Sequence, residues 1–302
     1  MALTNSCNHK EKAVVRLLDH KTLKDFPSAS AIEYNDGRLY IFGDDAAYML
    51  ITDTSYNRVD TVLYDVDTTY RISKSSKADI ESTTLIVNNN EKFLYALGSM
   101  SAKNRSRLFY FPLADIHTFL SMDYSPFAQK LKAVPELNIE GMTLVGSKLI
   151  LANRANNTNR TNKFIIAGNN LYEYKTLPPP RVVDLRIDSQ KVIGISGLYY
   201  VEEKDLLLFT ASEEDTKSAI EDGIINDSYL GMISRFSLKL EDKTIQPDQL
   251  IRLSSIDRVF EKQKIESVCM QYQNADSLVL HLAADNDNGQ SSFFKISVQL
   301  KP

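Results

Sequence analysis

Three glutamates stand at equivalent points of separate sequence units, and they are the residues best suited to carry chemistry. Glu81, Glu140 and Glu266 each follow an isoleucine and precede an apolar stretch. Ser28 and Ser196 open two further units of the same kind. If these five leading residues meet on one ring, the glutamates repel one another, because like charges at short range disfavour joint ionisation. Such a ring must hold a cation, pair with basic side chains, or raise the pKa of at least one carboxyl group.

Each of these outcomes predicts a different chemistry. A hard cation such as Ca²⁺ takes carboxylate, amide and backbone oxygens, which makes Glu81, Glu140 and Glu266 candidate metal ligands. The same three are candidate catalytic residues, since a glutamate of raised pKa beside ionised partners is the general acid of glycoside hydrolysis. Alternatively, basic side chains pair with the ring and form a structural charge network; the candidates for this role are Arg105, Arg107 and Arg154. The leading residues could also hydrogen-bond neighbouring backbone amides and hold strand register.

Polar loops near the predicted ring supply further candidate ligand-binding residues. These are Asp44, Asp45, Asn153, Arg154 and Asp285, with Asp287 beside the last of them. The longest loop of this group is the acidic segment Ser212–Gly223, which is either a solvated insertion or a recognition element.

The elements that position these residues come from an internal repeat. The five units begin 53, 59, 56 and 70 residues apart, and each contains a short polar start, an apolar strand, a turn and a second apolar strand. The last unit has 37 residues and 27 residues precede Ser28, which together make a unit of ordinary length. The fifth unit offers three strands, and Ala13–Leu18 is the expected fourth. The chain therefore resembles a ring that its own ends close.

This pattern predicts an all-β fold, a five-bladed β-propeller closed by the N-terminal strand. The second strands read LYIF, FLYAL, KLILA, LLLF and LVLHL, and such continuous apolar runs are typical of strands covered on both faces. Four-stranded units repeated around a channel make a propeller. Six blades remain an alternative, because the connection Ala114–Pro135 has room for an irregular extra blade. We expect residues 1–302 to form one propeller domain, with residues 1–10 mobile.

Composition excludes several classes of function. The chain has 302 residues, 35 Lys and Arg against 39 Asp and Glu, and a net charge of −4, which gives no electrostatic reason to bind nucleic acid or an anionic membrane. Its two cysteines, Cys7 and Cys269, are too far apart in sequence for a metal clip. The four histidines have no zinc-binding spacing, and His281 inside LVLHL is expected to be a core residue. No P-loop, Rossmann or nucleophile-elbow motif occurs.

The leading motifs resemble those of a known group of propellers. The fragments DIEST, NIEGM and KIESV, which contain Glu81, Glu140 and Glu266, look like the xEG motif that opens the blades of bacterial propellers of the esterase-like phytase and SdiA-regulated kind. The chain is similar to uncharacterised bacterial propellers of this kind over nearly its full length. The resemblance implies that the three glutamates lie at a channel mouth and that the ligand is a metal or a phosphoester. Ser28 and Ser196 depart from the motif, and only the third unit keeps Glu-Gly.

Two functions follow as expectations. The first is a binding propeller that recognises a small polar ligand or a protein partner at the channel mouth. The alternative is a metal-assisted hydrolase of an ester, phosphoester or glycoside, with calcium as the one candidate cofactor, so the sequence leaves open whether the protein is an enzyme. The segment MALTNSCNHKEKAVVRLLDH has no apolar core of a secretory signal, and no run is long enough to cross a membrane. We therefore expect a cytoplasmic protein, with secretion as the alternative if a signal peptide was removed.

Overall fold

The computed structural model describes residues 13–67, 69–171, 178–214, 225–285 and 288–300. Within them, five small sheets form the five blades of a β-propeller. The expectations for residues 1–10, with Cys7, and for Asp287 and the greater part of the loop Ser212–Gly223 lie outside the described residues.

Each blade is built from strands that run antiparallel to one another. Blade 1 consists of β2 (Ala29–Asn35), β3 (Arg38–Gly43), β4 (Tyr48–Asp53) and β5 (Arg58–Leu63). Blade 2 consists of β6 (Ile80–Asn88), β7 (Glu91–Gly98), β8 (Arg107–Pro112) and β9 (Leu120–Asp123). Blade 3 consists of β10 (Ile139–Val145), β11 (Lys148–Asn153), β12 (Asn162–Gly168) and β13 (Arg181–Leu185). Blade 4 consists of β14 (Ile193–Val201), β15 (Leu206–Glu214), β16 (Ile225–Ser234) and β18 (Gln249–Arg252).

Blade 5 joins the two ends of the chain, as the repeat predicts. It consists of β19 (Lys264–Gln273), β20 (Ser277–Asp285), β21 (Ser291–Gln299) and the N-terminal strand β1 (Val14–Leu23). Strand β1 pairs with β21 from Val14 opposite Gln299 to Leu23 opposite Ser291, so it extends beyond the predicted range Ala13–Leu18. The six-bladed alternative is wrong, because the connection Ala114–Pro135 holds only β9 of blade 2 and the short helix α1 (Ser125–Lys130).

The remaining elements are short. A second helix, α2 (Phe236–Lys239), follows β16, and single 3-10 turns cover Glu202–Lys204, Leu253–Ser255 and Arg258–Phe260. Between α2 and β18, the two-residue strand β17 (Thr244–Ile245) pairs in parallel with β13 of the preceding blade. Blades 3 and 4 are therefore joined by backbone hydrogen bonds at their outer edges as well as by side-chain packing.

Five apolar cores lie between the five blades, which explains the continuous apolar runs of the second strands. In β11, Leu149 and Leu151 belong to the core between blades 2 and 3, whereas Ile150 and Ala152 belong to the core between blades 3 and 4. Alternate residues of a strand point to opposite faces of its sheet. Because both faces of a blade are covered by neighbouring blades, a polar residue has no exposed face on such a strand.

A β-bulge lies at the same place in the innermost strand of every blade. Pairing is interrupted between Ile80 and Ser82, between Ile139 and Gly141, and between Ile265 and Ser267, so each glutamate of the repeat is the bulged residue. The same interruption in blade 4 falls between Ile195 and Leu198 and includes Ser196. A bulge bends the strand and redirects one side chain. The repeat motif therefore encodes a bulge that turns its leading residue out of the regular alternation.

The prediction for blade 1 is wrong by two residues. The bulge there lies between Ala29 and Ala31, so Ser30 occupies the leading position and Ser28 precedes the strand. Ser30 is buried, and its hydroxyl donates to the carbonyl of Ile80 in blade 2. This unit has Ala29 where the others have isoleucine, which is why alignment by sequence missed the offset.

The residue after the bulge must be small where two blades approach most closely. A Cβ on Gly141 would lie 2.5 Å from the carbonyl oxygen of Ser196 in blade 4. A Cβ on Gly197 would lie 2.5 Å from the Cα of Ser267 in blade 5. The innermost strands contact one another in cyclic order around the channel, and these contacts bring the five bulges together.

Candidate binding site at the channel mouth

The bulges bring the three predicted glutamates to one cluster of charges. Among the described residues this mouth cluster contains six carboxylates and four cations, joined by ion pairs or by close electrostatic interaction. They are Asp44, Asp79, Glu81, Glu140, Glu214 and Glu266, with Lys77, Arg105, Arg154 and Lys264. The convergence of the glutamates agrees with the sequence prediction. Their catalytic and metal-binding roles stay predictions.

Arg154 is the centre of the side of the cluster formed by blades 3, 4 and 5. Its Nη2 donates to Glu214 Oε2 at 2.8 Å and to Ser212 Oγ at 2.7 Å. Its Nη1 donates to Ser196 Oγ at 2.8 Å and lies 3.5 Å from Glu140 Oε2 and 3.9 Å from Glu266 Oε2. The side chain is 7% exposed. One buried guanidinium therefore connects three blades, which is the pairing role predicted for Arg154.

A glycine makes room for this arginine. A Cβ on Gly194, at the start of β14, would lie 2.8 Å from both Cγ and Nε of Arg154. Any side chain at this position would force the guanidinium away from its partners. The absence of a side chain at residue 194 is thus part of the construction of the site.

Lys264 supplies the second cation on this side. Its Nζ lies 2.8 Å from Glu266 Oε1 and 3.9 Å from Glu214 Oε2. The other oxygen of Glu266, Oε2, is buried and accepts no hydrogen bond from any described residue. Glu266 as a whole is only 3% exposed. A buried carboxylate oxygen without a donor is costly, so this atom is a position where a ligand proton would be favourable.

Lys77 and Arg105 neutralise the opposite side, formed by blades 1 and 2. Lys77 Nζ forms an ion pair with Asp44 and lies 2.8 Å from Asp79 Oδ1. Arg105 Nη1 lies 3.1 Å from the other oxygen of Asp79 and donates to Ser101 Oγ at the same distance. Burial alone would lower the pKa of Lys77, but Asp44 and Asp79 raise it above its ordinary value. The lysine therefore stays charged.

Glu81 lies between the two sides and has a different environment. Within the described residues its carboxylate makes no ion pair and no hydrogen bond, although it is only partly exposed. Burial, followed by repulsion from Glu140, Asp79 and Asp44, raises its pKa well above 4.5. One oxygen each from Asp44, Asp79 and Glu81 lie within 4.8 Å of one another, which is a spacing suited to a cation.

In the other carboxylates, burial and the neighbouring cations change the pKa in opposite directions. Burial raises the pKa of Glu140 to about 7 against the opposing effect of Arg154. Burial raises the pKa of Asp44 to about 6, with Lys77 opposing the increase. Carboxyl groups that titrate near neutrality in a cleft are typical of functional sites, although structural ion networks also produce them.

The predicted loop residues divide into two groups. Asp44 and Arg154 belong to the mouth cluster, whereas Asp45 pairs with Arg71, whose Nε lies 2.6 Å from Asp45 Oδ2. Asn153 Oδ1 accepts the backbone N–H of Asn138 at 2.8 Å, which is a structural contact. Asp285 is buried at the end of β20.

The prediction that Arg107 pairs with the ring is wrong. Arg107 is in β8, and its Nη2 donates to Ser121 Oγ at 2.7 Å. Its guanidinium lies 5.0 Å from the centre of the Phe109 ring. Arg105 and Arg107 are two residues apart, but Arg105 still belongs to the connecting loop and reaches the mouth cluster.

Sequence reasoning missed four members of the cluster, namely Lys77, Asp79, Glu214 and Lys264. Two of them carry a signal that was present in the motif, since Asp79 and Lys264 each stand two residues before a leading glutamate. Asn138 has the same position in blade 3, and its Nδ2 donates to Glu140 Oε1 at 2.6 Å. The residue two before the bulge thus decides which partner the glutamate meets.

A cavity of about 340 Å³ opens beside the cluster between blades 3 and 4. Glu213 and Glu214 line it together with polar side chains of the loops. The loop residues are Asn157, Arg160, Gln190 and Lys191, and Asn226 of β16 also lines the cavity. The cavity has the volume of a small-ligand site and connects to Arg154 through Glu214.

The histidine and cysteine predicted to be core residues occupy the core. His281 is fully buried; Tyr56 Oη lies 2.8 Å from its Nδ1 and Gln271 Oε1 lies 2.9 Å from its Nε2. Burial, with a smaller effect of Lys295, lowers its pKa to about 3, so it is neutral at pH 7. Cys269 is buried in the core between blades 5 and 1. Neither residue is available to a ligand.

Fold and site together define a five-bladed β-propeller with a charged channel mouth. Solved structures with the same fold include glutaminyl cyclase of Myxococcus xanthus, with 7% identity, 96% of this chain and 98% of that chain covered, and a TM-score of 0.50. An arabinanase of Bacillus subtilis has 11% identity, 92% and 95% coverage, and a TM-score of 0.47. At 7% identity the likeness to the glutaminyl cyclase concerns the fold alone.

The chain belongs to the family of unknown function DUF6929, whose model matches residues 25–298. No curated protein matches the sequence. None of the helices in the described ranges has the length and hydrophobicity needed to span a lipid bilayer.

Proposed function

We propose that the channel mouth binds a small polar ligand that carries a positive charge, with Glu81 as its main contact and Glu140 and Glu266 beside it. The observation that carries the proposal is the environment of Glu81, a partly enclosed carboxylate that forms no ion pair with any described residue and is repelled by Glu140 and Asp79. A cationic ligand would lower the pKa of Glu81 and remove this repulsion. An anionic ligand would increase it.

The balance of charge supports a cation rather than an anion. The described mouth cluster has two more carboxylates than cations, and each cation already contacts at least one carboxylate. Arg154, the best placed cation, already donates to two carboxylates and two serine hydroxyls. Glu266 Oε2, which accepts no hydrogen bond from the described residues and has Arg154 Nη1 at 3.9 Å, offers a further acceptor. An ammonium or guanidinium group would offset the excess of carboxylates and would also donate a hydrogen bond to Glu266 Oε2. A lysine or arginine side chain of a protein partner would present the same group.

The proposal is tested with simple organic cations as probes. Methylammonium and ethylammonium chlorides, compared with sodium chloride at equal ionic strength, are expected to raise the melting temperature of the wild-type protein, because a ligand that binds only the folded state stabilises it. Glu81→Gln should abolish this response. Glu91→Gln, on the exposed start of β7 in the same blade, is the matched control and should retain it. An equal response in Glu81→Gln, or no response in the wild type, contradicts the proposal.

A metal-assisted hydrolase is the second candidate. The oxygens of Asp44, Asp79 and Glu81 have a spacing suited to a hard cation, and Asp44 Oδ1 is buried without a hydrogen-bond partner among the described residues. The metal group predicted from sequence, Glu81 with Glu140 and Glu266, would thus be replaced by one centred on blades 1 and 2. Calcium bound there would have to displace the ammonium group of Lys77. A calcium-dependent increase in melting temperature that Asp79→Asn removes would favour this candidate.

Hydrolysis would assign Glu140 the role of general acid, because its pKa of about 7 lets it hold and donate a proton near neutral pH. The resemblance to esterase-like phytases and SdiA-regulated propellers predicts an ester or phosphoester as the substrate. Activity on a panel of esterase, phosphatase and glycosidase substrates that Glu140→Gln abolishes would establish the enzyme reading. A panel without activity, together with a positive cation response, would establish the binding reading.

A further inference from the structure

A second polar and apolar surface lies on blade 2, apart from the mouth cluster. Two cavities of about 540 Å³ and about 640 Å³ share Lys103 as a lining residue. The first is bordered by β8 and β9, and the second by α1 and the segment that leads to β10. We call the two together the blade 2 groove. Each cavity has the volume of a ligand site.

Three cations of the described chain line the groove without forming an ion pair, although Lys103 is near enough to Asp123 to lower the pKa of that carboxyl group. Lys103, Arg107 and Lys132 make no ion pair with any carboxylate of the described chain, whereas most cations of the mouth cluster make two or three. Arg107 uses one of its five donors on Ser121, and its stacking on Phe109 holds the guanidinium in place. Among the described lining residues the one carboxylate is Asp123, and its Oδ1 already accepts from Ser125 N and Ser125 Oγ.

The floor of the groove is apolar and rigid. Leu131 and Val134 line it and are buried members of the core between blades 2 and 3. Met122, Ala128 and Leu137 also line it and are partly buried residues packed against the same core. The floor is therefore the outer surface of a hydrophobic core, and a ligand that covers it would bury apolar area without reorganising the protein.

We propose that the blade 2 groove binds an amphipathic anion, a molecule with an apolar chain or ring and one acidic head group. The apolar part lies on Met122, Ala128 and Leu137, and Lys103, Arg107 and Lys132 hold the head group. Three cations and a single carboxylate around an apolar floor favour this ligand over a neutral or cationic one, on a protein whose net charge is −4. The site is independent of the proposed cation site, because the two share no residue.

The test uses octanoate as the probe and an introduced tryptophan as the reporter. The chain has no tryptophan, so Gln129→Trp places a single one at the groove. Octanoate below its micelle concentration is expected to change the fluorescence of this variant saturably. Acetate, which has the head group alone, and octyltrimethylammonium, which has the opposite charge, should not. Glu91→Trp, on the same blade but outside the groove, is the matched control and should not respond to octanoate.

The charges are tested in the Gln129→Trp background. Lys103 and Lys132 are exposed, so the double change Lys103→Glu and Lys132→Glu should leave the melting temperature unchanged and weaken octanoate binding by roughly ten-fold or more. Three results would overturn the proposal: no saturable response to octanoate, an equal response to octyltrimethylammonium, or unchanged affinity in the doubly substituted variant. A melting temperature that falls in that variant would be resolved by Lys132→Gln alone, which should still weaken binding.

Discussion

The two sides of the channel mouth use the same residue types in different arrangements. On the side of blades 1 and 2, Lys77 lies between Asp44 and Asp79, and a second cation, Arg105, completes the group. On the side of blades 3, 4 and 5, Arg154 reaches carboxylates of all three blades. The ion pairs of the first side join one loop to its neighbour, and those of the second side join three blades. The same bulge thus contributes to local or to long-range contacts, depending on the cation that the loops supply.

Glu81 and Glu140 show this difference at single-residue level. Both are bulged residues after an isoleucine, in neighbouring blades. Two residues earlier, blade 3 has Asn138, which donates to Glu140, whereas blade 2 has Asp79, which repels Glu81. An amide in one blade and a carboxylate in the other therefore accompany a glutamate that is held in a network and one that forms no ion pair with any described residue.

The largest expected effect on stability comes from removing the cation on the side formed by blades 3, 4 and 5. Arg154→Met removes the shared partner of Glu140, Glu214 and Glu266. The last two keep Lys264, but removing one partner from a buried ion network costs about 3–5 kcal/mol. We expect a loss of this size in the free energy of unfolding, measured by urea denaturation. Arg186→Met removes an exposed pair with Asp188 and should change stability by less than about 0.5 kcal/mol. Equal effects of the two changes would show that the buried ion pairs of Arg154 stabilise the protein no more than an exposed ion pair does.

An intermediate effect is expected at the closest approach of two blades. Gly141→Ala places a Cβ 2.5 Å from a backbone oxygen of the next blade, and relief of such overlap costs about 1–3 kcal/mol of unfolding free energy. Ser267→Ala is the matched change at the same position of blade 5. Its hydroxyl is buried without a hydrogen-bond partner among the described residues, so its removal should be neutral or slightly stabilising. A neutral Gly141→Ala would contradict the close contact of the innermost strands.

The smallest expected effect is the contribution of Glu81 to the pH dependence of the free energy of unfolding. Because the pKa of Glu81 is raised in the folded state, that state binds more protons, and the stability this provides is present below about 4.5 and lost as pH rises through the raised pKa. The free energy of unfolding of Glu81→Gln should therefore match that of the wild type near pH 4.5 and exceed it at pH 8. Urea denaturation at both pH values measures the difference.

Two comparisons complete this experiment. Burial raises the pKa of Glu33 to about 7, so its ionisation lowers the stability as pH rises, in the same direction as that of Glu81. Glu33 also accepts hydrogen bonds from Tyr34 N and Leu85 N, so Glu33→Gln should destabilise the protein. Glu91→Gln should leave the pH profile of the wild type unchanged. If Glu81→Gln gives a profile parallel to that of the wild type, Glu81 is not repelled by its neighbours.

The fold could be predicted from the sequence because its determinants are periodic. The repeat gave the number of blades, the closing strand and the convergence of Glu81, Glu140 and Glu266. The offset at Ser30 was missed because blade 1 lacks both the isoleucine and the glutamate of the motif. A repeat predicts the position of a residue along a strand, and this prediction is least accurate in the unit that departs most from the repeat.

The partners of the glutamates could not be predicted in the same way. Lys77 and Glu214 reach the cluster from a connecting loop and from the end of a second strand, where no motif repeats. The blade 2 groove depends on α1 and on the path of the chain to β10, which occur once in the molecule. Such features follow from three-dimensional packing of single segments, and one sequence contains no second copy from which to infer them.

The pairing of β1 with β21 has a consequence for how the molecule assembles. The hydroxyls of Thr22 and Ser292 lie 3.0 Å apart although 270 positions separate them in the chain. During synthesis on the ribosome β1 emerges before the other described strands, and its partner β21 emerges after them. We expect blades 1 to 4 to form as an open arc that exposes an unpaired edge until β21 has emerged, with ring closure as a slow step. The interval before closure is then when the nascent protein most needs a chaperone.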